Sequence, residues 1–228
     1  MLDPMELEAI ELSLRVGAWS VLCSLPFGIA AAWLLARRDF PGKALVDGLV
    51  HLPLVLPPVV VGYLLLLTFG RNGPVGHWLE AWFGVTLAFT WQGAALASSV
   101  MAFPLMVRAM RLSLEAVDRR LEAAARTLGA GPLSVFATVT LPLMAPGILA
   151  GAILAFARSL GEFGATITFV SNIPGETRTL PNALYTYTQQ VDGEGPALRL
   201  TVIAVVLALL ALGASELLAR RLKRRLAS

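Results

Sequence analysis

The chain has 228 residues, 57% of them hydrophobic and 14% charged, and a formal net charge of +3. Soluble domains are about 45–50% apolar and about 25% charged, so this composition excludes an ordinary soluble enzyme or binding module and points to a polytopic membrane protein. The net charge gives no ground for a nucleic-acid partner; its information lies in where the 18 Lys and Arg fall.

The N-terminus carries Asp3, Glu6, Glu8 and Glu11 ahead of Arg15. A secretory signal opens with positive charge, so none is expected. A membrane-crossing helix takes about 20 mostly apolar residues. Five runs meet that length, at about 12–35, 45–69, 85–107, 144–163 and 198–218. Pro53, Pro57 and Pro58 interrupt the second, and the fourth is open to extension as far as Val170. Strand alternation is absent, and in lipid the backbone must satisfy its own hydrogen bonds, which leaves helices. The expected fold is an all-α membrane protein with five transmembrane helices, one domain over 1–228 with its core at about 8–218.

Orientation follows from the basic residues. Arg37, Arg38 and Lys43 follow the first run, and Arg108, Arg111, Arg119, Arg120 and Arg126 follow the third. Arg220, Arg221, Lys223, Arg224 and Arg225 follow the fifth. Thirteen of the 18 thus share one side. The bias predicts a multi-pass protein of the cell (inner) membrane with its N-terminus outside and its C-terminus in the cytoplasm. The segment 72–83 then lies outside with Trp78, Trp82 and Phe83, and Trp91 just beyond, a set suited to the membrane–water boundary. A second outer loop, 171–196, is polar and contains Pro174, Gly175 and Pro181; it is the expected surface for an external partner. Cys23 is the single cysteine, so neither an internal disulfide nor a cysteine metal cluster is expected. His51 and His77 are the only histidines, one beside the second run and one in the outer loop, so no catalytic pair is expected.

Between the third and fourth runs lies a polar segment that a bilayer does not explain. Leu121, Ala124, Ala125 and Leu128 fall at i, i+3, i+4 and i+7, a narrow apolar stripe on a helix. Glu115 and Arg119, and Glu122 and Arg126, are spaced as i,i+4 pairs. Gly129 suits the left-handed position after a helix end, and Pro132 the first turn of a second short helix at about 133–140, which leads to Leu141-Pro142. The stripe uses alanine where a self-burying helix would use leucine. It reads either as a connecting helix on the membrane surface or as a docking face for a partner backbone.

In the fourth run Arg158 and Glu162 stand four apart on one face, and Arg158 falls about 18 Å along the helix from Pro146. Ionisable residues at that depth are costly and face a bundle interior or a wet cavity. The pair reads either as a structural tie between helices or as a lining of a gate or pore, with Gly161, Gly164 and Thr166 beside it and the glycines permitting close packing or bending.

The run from Gly129 through Val139 to Leu141-Pro142 resembles the cytoplasmic loop of permease subunits of ATP-binding cassette importers. The acidic position of that signature falls on Ala123, with Glu122 one residue before it. The stretches Ser159-Leu160-Gly161-Glu162-Phe163-Gly164, 167–181 and Leu52-Pro53-Leu54-Val55-Leu56-Pro57-Pro58-Val59-Val60-Val61-Gly62 are similar to the molybdate permease subunits of the oxyanion branch. Sulfate and thiosulfate permeases share much of this pattern but generally add an N-terminal span, which is not expected here; tungstate is the closer alternative.

The resemblance implies a type I importer permease fold. It implies coupling to an ATPase through Leu121, Glu122, Ala124, Ala125, Leu128, Gly129, Leu141 and Pro142. It also implies a dimeric ATPase partner that binds ATP and Mg, a periplasmic or extracellular molybdate-binding protein, a second copy of this chain, and surrounding membrane lipid. The chain itself is then no enzyme and holds no cofactor, metal or catalytic residue. Consistent with that, Lys43 and Lys223 are the only lysines and neither completes a Gly-x4-Gly-Lys phosphate loop. An ion-coupled secondary carrier is the rival from another class, and it would need carboxylates at depth, where Glu162 alone stands clearly.

Overall fold

The acidic start of the chain is the first turn of a long helix. Glu6 accepts a hydrogen bond from the backbone N–H of Asp3 at 2.7 Å, and Pro4 sits at the first helical position, where no N–H partner is needed. The structure is a computed structural model that describes residues 3–226. The side chains of Ser215 and of 219–226 lie outside that description, and with them the basic cluster Arg220, Arg221, Lys223, Arg224 and Arg225.

Helix α1 (Pro4–Arg37) is about 50 Å long and projects beyond a hydrocarbon core of about 30 Å. The second expected span is two helices, α2 (Lys43–Val55) and α3 (Pro58–Phe69), bent by 115°. The cause is local. Pro57 and Pro58 offer no N–H, and the residue before a proline is driven to extended backbone; Leu56 has ψ 143°. Outside the third span, α4 (Pro74–Phe83) exposes Trp78, Trp82 and Phe83. Arg71 donates to Glu80 at its base, and this hydrogen bond holds the Glu80 carboxyl below its usual value.

Helix α5 (Trp91–Glu115) starts later than the apolar run, because Thr90 caps it: its Oγ1 accepts from the Gly93 N–H at 3.2 Å; the helix also runs on past Val107 to Glu115. Arg108 and Arg111 therefore sit inside its final turns. After α6 (Arg119–Thr127) comes the largest departure from expectation. The second short helix is not separate. α7 (Pro132–Val135), a π-helical turn (Phe136–Thr140) and α8 (Leu141–Leu160) form one unbroken 29-residue helix. Pro142 lacks an N–H, and its ring would crowd the carbonyl one turn back; the wider π turn directly before it relieves that crowding.

The fourth span ends at Leu160. Residues 161–163 break the helix, and α9 (Gly164–Val170) resumes it. The loop after α9 contains α10 (Leu180–Thr188), and α11 (Glu194–Leu226) follows it. Among the described residues four helices are long and apolar enough to cross a membrane, and five if the bent α2–α3 pair counts as one span.

Helix α5 is the hub, packed against α1 and α8. Its buried face carries Ala94, Ala97, Met101, Met106 and Met110. Small residues bring the helices together, as at Gly147 against Ser113 of α5. A polar seam joins three helices: Ser20 and Ser159 hydroxyls are 2.7 Å apart, and Ser99 Oγ donates to the Ser20 carbonyl at 3.0 Å.

The two broken helices meet through their short second halves, α3 against α9. A Cβ on Gly62 would lie 2.6 Å from the Ala165 carbonyl oxygen, and one on Gly164 would lie 2.7 Å from Pro58 Cβ. Gly164→Ala is therefore expected to destabilise the chain by about 1–3 kcal/mol through overpacking. A clear drop in thermal midpoint in detergent is the check, with Gly161→Ala, where a Cβ comes no nearer than 4.0 Å to the Arg158 carbonyl oxygen, as the neutral companion.

Candidate functional site

Helix α6 is defined by its ends. Asp118 caps it, its Oδ1 accepting from the Arg120 N–H at 2.9 Å. At the other end Gly129 takes φ +88°, as its sequence position predicts. The Gly129 N–H donates to the Arg126 carbonyl and the Ala130 N–H to the Ala125 carbonyl, each at 3.0 Å, which is a Schellman termination.

The apolar stripe has nothing to pack on within the chain. Leu121 and Ala124 are exposed, Ala125 is half-buried, and Leu128 is 88% exposed. Leu133, at the start of α7, is also exposed. Leu141 packs against the inner core cluster, while Pro142 is exposed.

Glu122 points the other way. It is buried, it accepts from Thr140 Oγ1 at 2.8 Å, and its carboxylate lies 3.2 Å from Arg37 Nε. That Arg37 contact is an ion pair without hydrogen-bond alignment, and Arg37 Nη2 donates to the Val117 carbonyl at 3.3 Å. The expected Glu122–Arg126 pair is thus replaced by a tie to α1 and the π turn. The Glu115–Arg119 pair is replaced as well: Glu115 takes Arg111 at 2.8 Å, and Arg119 donates to the Ala36 carbonyl at 3.1 Å. The physical reason is burial. Arg37 is nearly enclosed and needs a counter-charge more than solvated Arg126 does. Glu122→Ala is expected to loosen α6 from α1 and cost about 3–5 kcal/mol, read as a lower thermal midpoint.

At the far end of the Pro132–Leu160 helix, Arg158 Nη2 lies 2.8 Å from Glu162 Oε2. The Glu162 side chain is 1% exposed and that of Arg158 29%. Glu162 Oε1 also accepts from the Ala165 N–H at 2.9 Å, so this carboxylate bridges the break between α8 and α9. Thr166 is buried, and its hydroxyl donates to the Phe163 carbonyl at 2.9 Å. Gly164 is the contact with α3 already described, and Gly161 makes no close approach. Of the five residues grouped at the break, Arg158 is the charged one with open surface.

The two clusters are linked by the continuous Pro132–Leu160 helix, about 40 Å long, with α6 joined to its start by the turn at 128–131. The tie of Glu122 to Arg37 and Thr140 was not legible in the sequence, and neither was the packing of Gly62 on α9. Arg37 counted only toward orientation, and nothing in its sequence neighbourhood announces a partner 85 positions away. No group of three or more His, Cys, Asp or Glu that could hold a metal ion occurs among the described residues.

Residues 24–224 match the family described as binding-protein-dependent transport system inner membrane component. The chain is 64% identical over 98% of its length to the molybdenum transport system permease protein ModB of Escherichia coli (strain K12), covering 97% of that protein. It is 58% identical to the protein of the same name from Haemophilus influenzae, covering 97% of each. In fold it is similar to a crystal structure of a bacterial alginate ABC transporter in complex with an alginate pentasaccharide-bound periplasmic protein. That match has a TM-score of 0.74 and 19% identity, and covers 96% of this chain and 80% of the other. The chain belongs to the family of binding-protein-dependent transport system inner membrane components, and within it groups with the molybdenum transport system permease proteins.

Proposed function

We propose that this chain is the membrane subunit of an ATP-driven importer and shapes the path that carries molybdate into the cell. The observation that carries the mechanism is the largely uncovered apolar face of α6, joined by the turn at Gly129 to a helix that runs unbroken from Pro132 past Arg158 to Leu160. ATP and Mg are handled by a separate ATPase pair, which docks on Leu121, Ala124, Ala125 and Leu128. One chain offers one such face, so two copies of the chain face the two ATPase subunits. The turn at Gly129 sets the angle at which α6 leaves the membrane helix, and Glu122 anchors it to α1.

The N-terminus lies outside and the C-terminus in the cytoplasm, in line with the basic bias. An external molybdate-binding protein meets the α4 and α10 surfaces. ATP-driven closure of the ATPase pair then pushes α6, and the Pro132–Leu160 helix passes the displacement to the break at 161–163. Arg158 supplies positive potential along an anion path, held in place by Glu162. Substrate choice lies mainly with the binding protein, since Arg158 is the one partly open cation at the break.

The reading is tested by ATP hydrolysis in the reconstituted complex. Molybdate-loaded binding protein is expected to stimulate hydrolysis several-fold over sulfate-loaded or empty protein. Equal stimulation by the sulfate-loaded form would move the assignment to a sulfate permease, and hydrolysis indifferent to every form of the binding protein would overturn the importer reading.

A further inference from the structure

Between the end of α1 and the α6–α7 segment is a cleft of about 800 Å³. Arg37, Arg38, Arg119 and Arg126 line it against the single carboxylate Glu122. Glu122 is committed to Arg37 and Thr140. Arg38 lies over the Trp33 ring at 5.4 Å from its centroid, and Arg126 is exposed and has no ion pair among the described residues. The other wall is apolar: Trp33 and Phe136 meet edge to face at 6.3 Å, with Leu133 and Ala30 beside them.

Position matters as much as charge. Ala30 lies about 10 Å below Arg37 along α1 and is exposed, next to exposed Phe27 and Leu34. The cleft therefore opens at its cationic end toward water and at its apolar end toward the bilayer. We propose that it holds an anionic phospholipid, the phosphate on Arg38, Arg119 and Arg126 and an acyl chain along Ala30 and Phe27. Guanidinium groups match phosphate oxygens in pairs, and basic pockets at the membrane boundary attract anionic headgroups. A soluble partner could meet the arginines but would find no reason to enter the apolar end. The bound lipid fastens α6 to the membrane beside its Glu122–Arg37 tie.

The test is native mass spectrometry of the full chain, delipidated in detergent, with phosphatidylglycerol or phosphatidylcholine of identical acyl chains. One phosphatidylglycerol per chain is expected to survive activation that strips phosphatidylcholine. The Arg38→Gln, Arg126→Gln double variant is expected to weaken retention about thirtyfold, and Arg108→Gln, an exposed cation outside the cleft, to leave it unchanged. Should the double variant fold poorly, Ala30→Trp fills the apolar end at an exposed position and is expected to lower retention as well. Equal retention of both lipids overturns the proposal, as does full retention by the variants. Displacement by inorganic phosphate alone, or by the ATPase subunit, also overturns it, the first because a free anion then suffices and the second because a protein occupies the cleft.

Discussion

Replacing Leu121 and Leu128 together by aspartate is expected to abolish co-purification of the ATPase and to reduce uptake to background. Both side chains are at least half exposed, and neither has a packing role inside the chain. Burying such an anchor in a partner commonly contributes 2 kcal/mol or more, about thirtyfold in affinity, and aspartate adds the cost of enclosing a charge. The chain itself should melt within about 0.5 kcal/mol of the parent, because surface changes away from buried features rarely exceed that. Pull-down of the ATPase from a co-expressing strain, with a melt of the isolated chain, separates the two effects. Uptake within twofold of the parent would mean that α6 is a surface connector and that the ATPase docks elsewhere.

The second large effect is expected at the break between α8 and α9. Removing either Arg158 or Glu162 alone leaves a charge without its partner, and Glu162→Ala also orphans the Ala165 N–H. Breaking a buried pair costs about 3–5 kcal/mol. The Arg158→Ala, Glu162→Ala double variant is expected to recover part of the stability but no uptake, because Arg158 is then missing from the path. Thermal midpoints and initial uptake rates for the three variants decide the matter. Recovery of both stability and uptake in the double variant would show the pair to be structural only.

Four long apolar helices were readable from apolar runs, because hydrocarbon thickness fixes their length whatever the tertiary packing; the fifth expected span is the bent α2–α3 pair. The turn at Gly129 was readable for a related reason: a left-handed residue after a helix end is a local demand, met locally. Three features were not. The bend of 115° at the Pro57-Pro58 pair has a visible cause, but proline does not state the direction or size of a turn. The continuity of α7 with α8 depends on a π turn whose only sign is Pro142, a residue that reads equally well as a helix start. The redirection of Glu122 to Arg37 is a long-range choice. Helical spacing offers Arg126, and only packing reveals that Arg37 is enclosed and needs the carboxylate. The Arg158–Glu162 pair shows the opposite case, an i,i+4 spacing that the structure does use at 2.8 Å.

These differences sharpen the mechanical picture. A separate second short helix would place a joint between the docking face and the membrane. The unbroken helix removes that joint and leaves the turn at 128–131 between α6 and Pro132, so displacement at Leu133 is carried directly to Arg158. The helix is instead interrupted at 161–163, where Glu162 spans the gap with one oxygen on Arg158 and the other on Ala165.

The central claim is that this chain carries molybdate inward only together with an ATPase and a binding protein. The direct measurement is uptake of labelled molybdate into vesicles containing the chain and its ATPase, with binding protein outside and ATP within. Accumulation is expected to require all three components and to be competed by excess unlabelled molybdate but not by sulfate. Accumulation without ATP or without binding protein, driven instead by an ion gradient, would contradict the account.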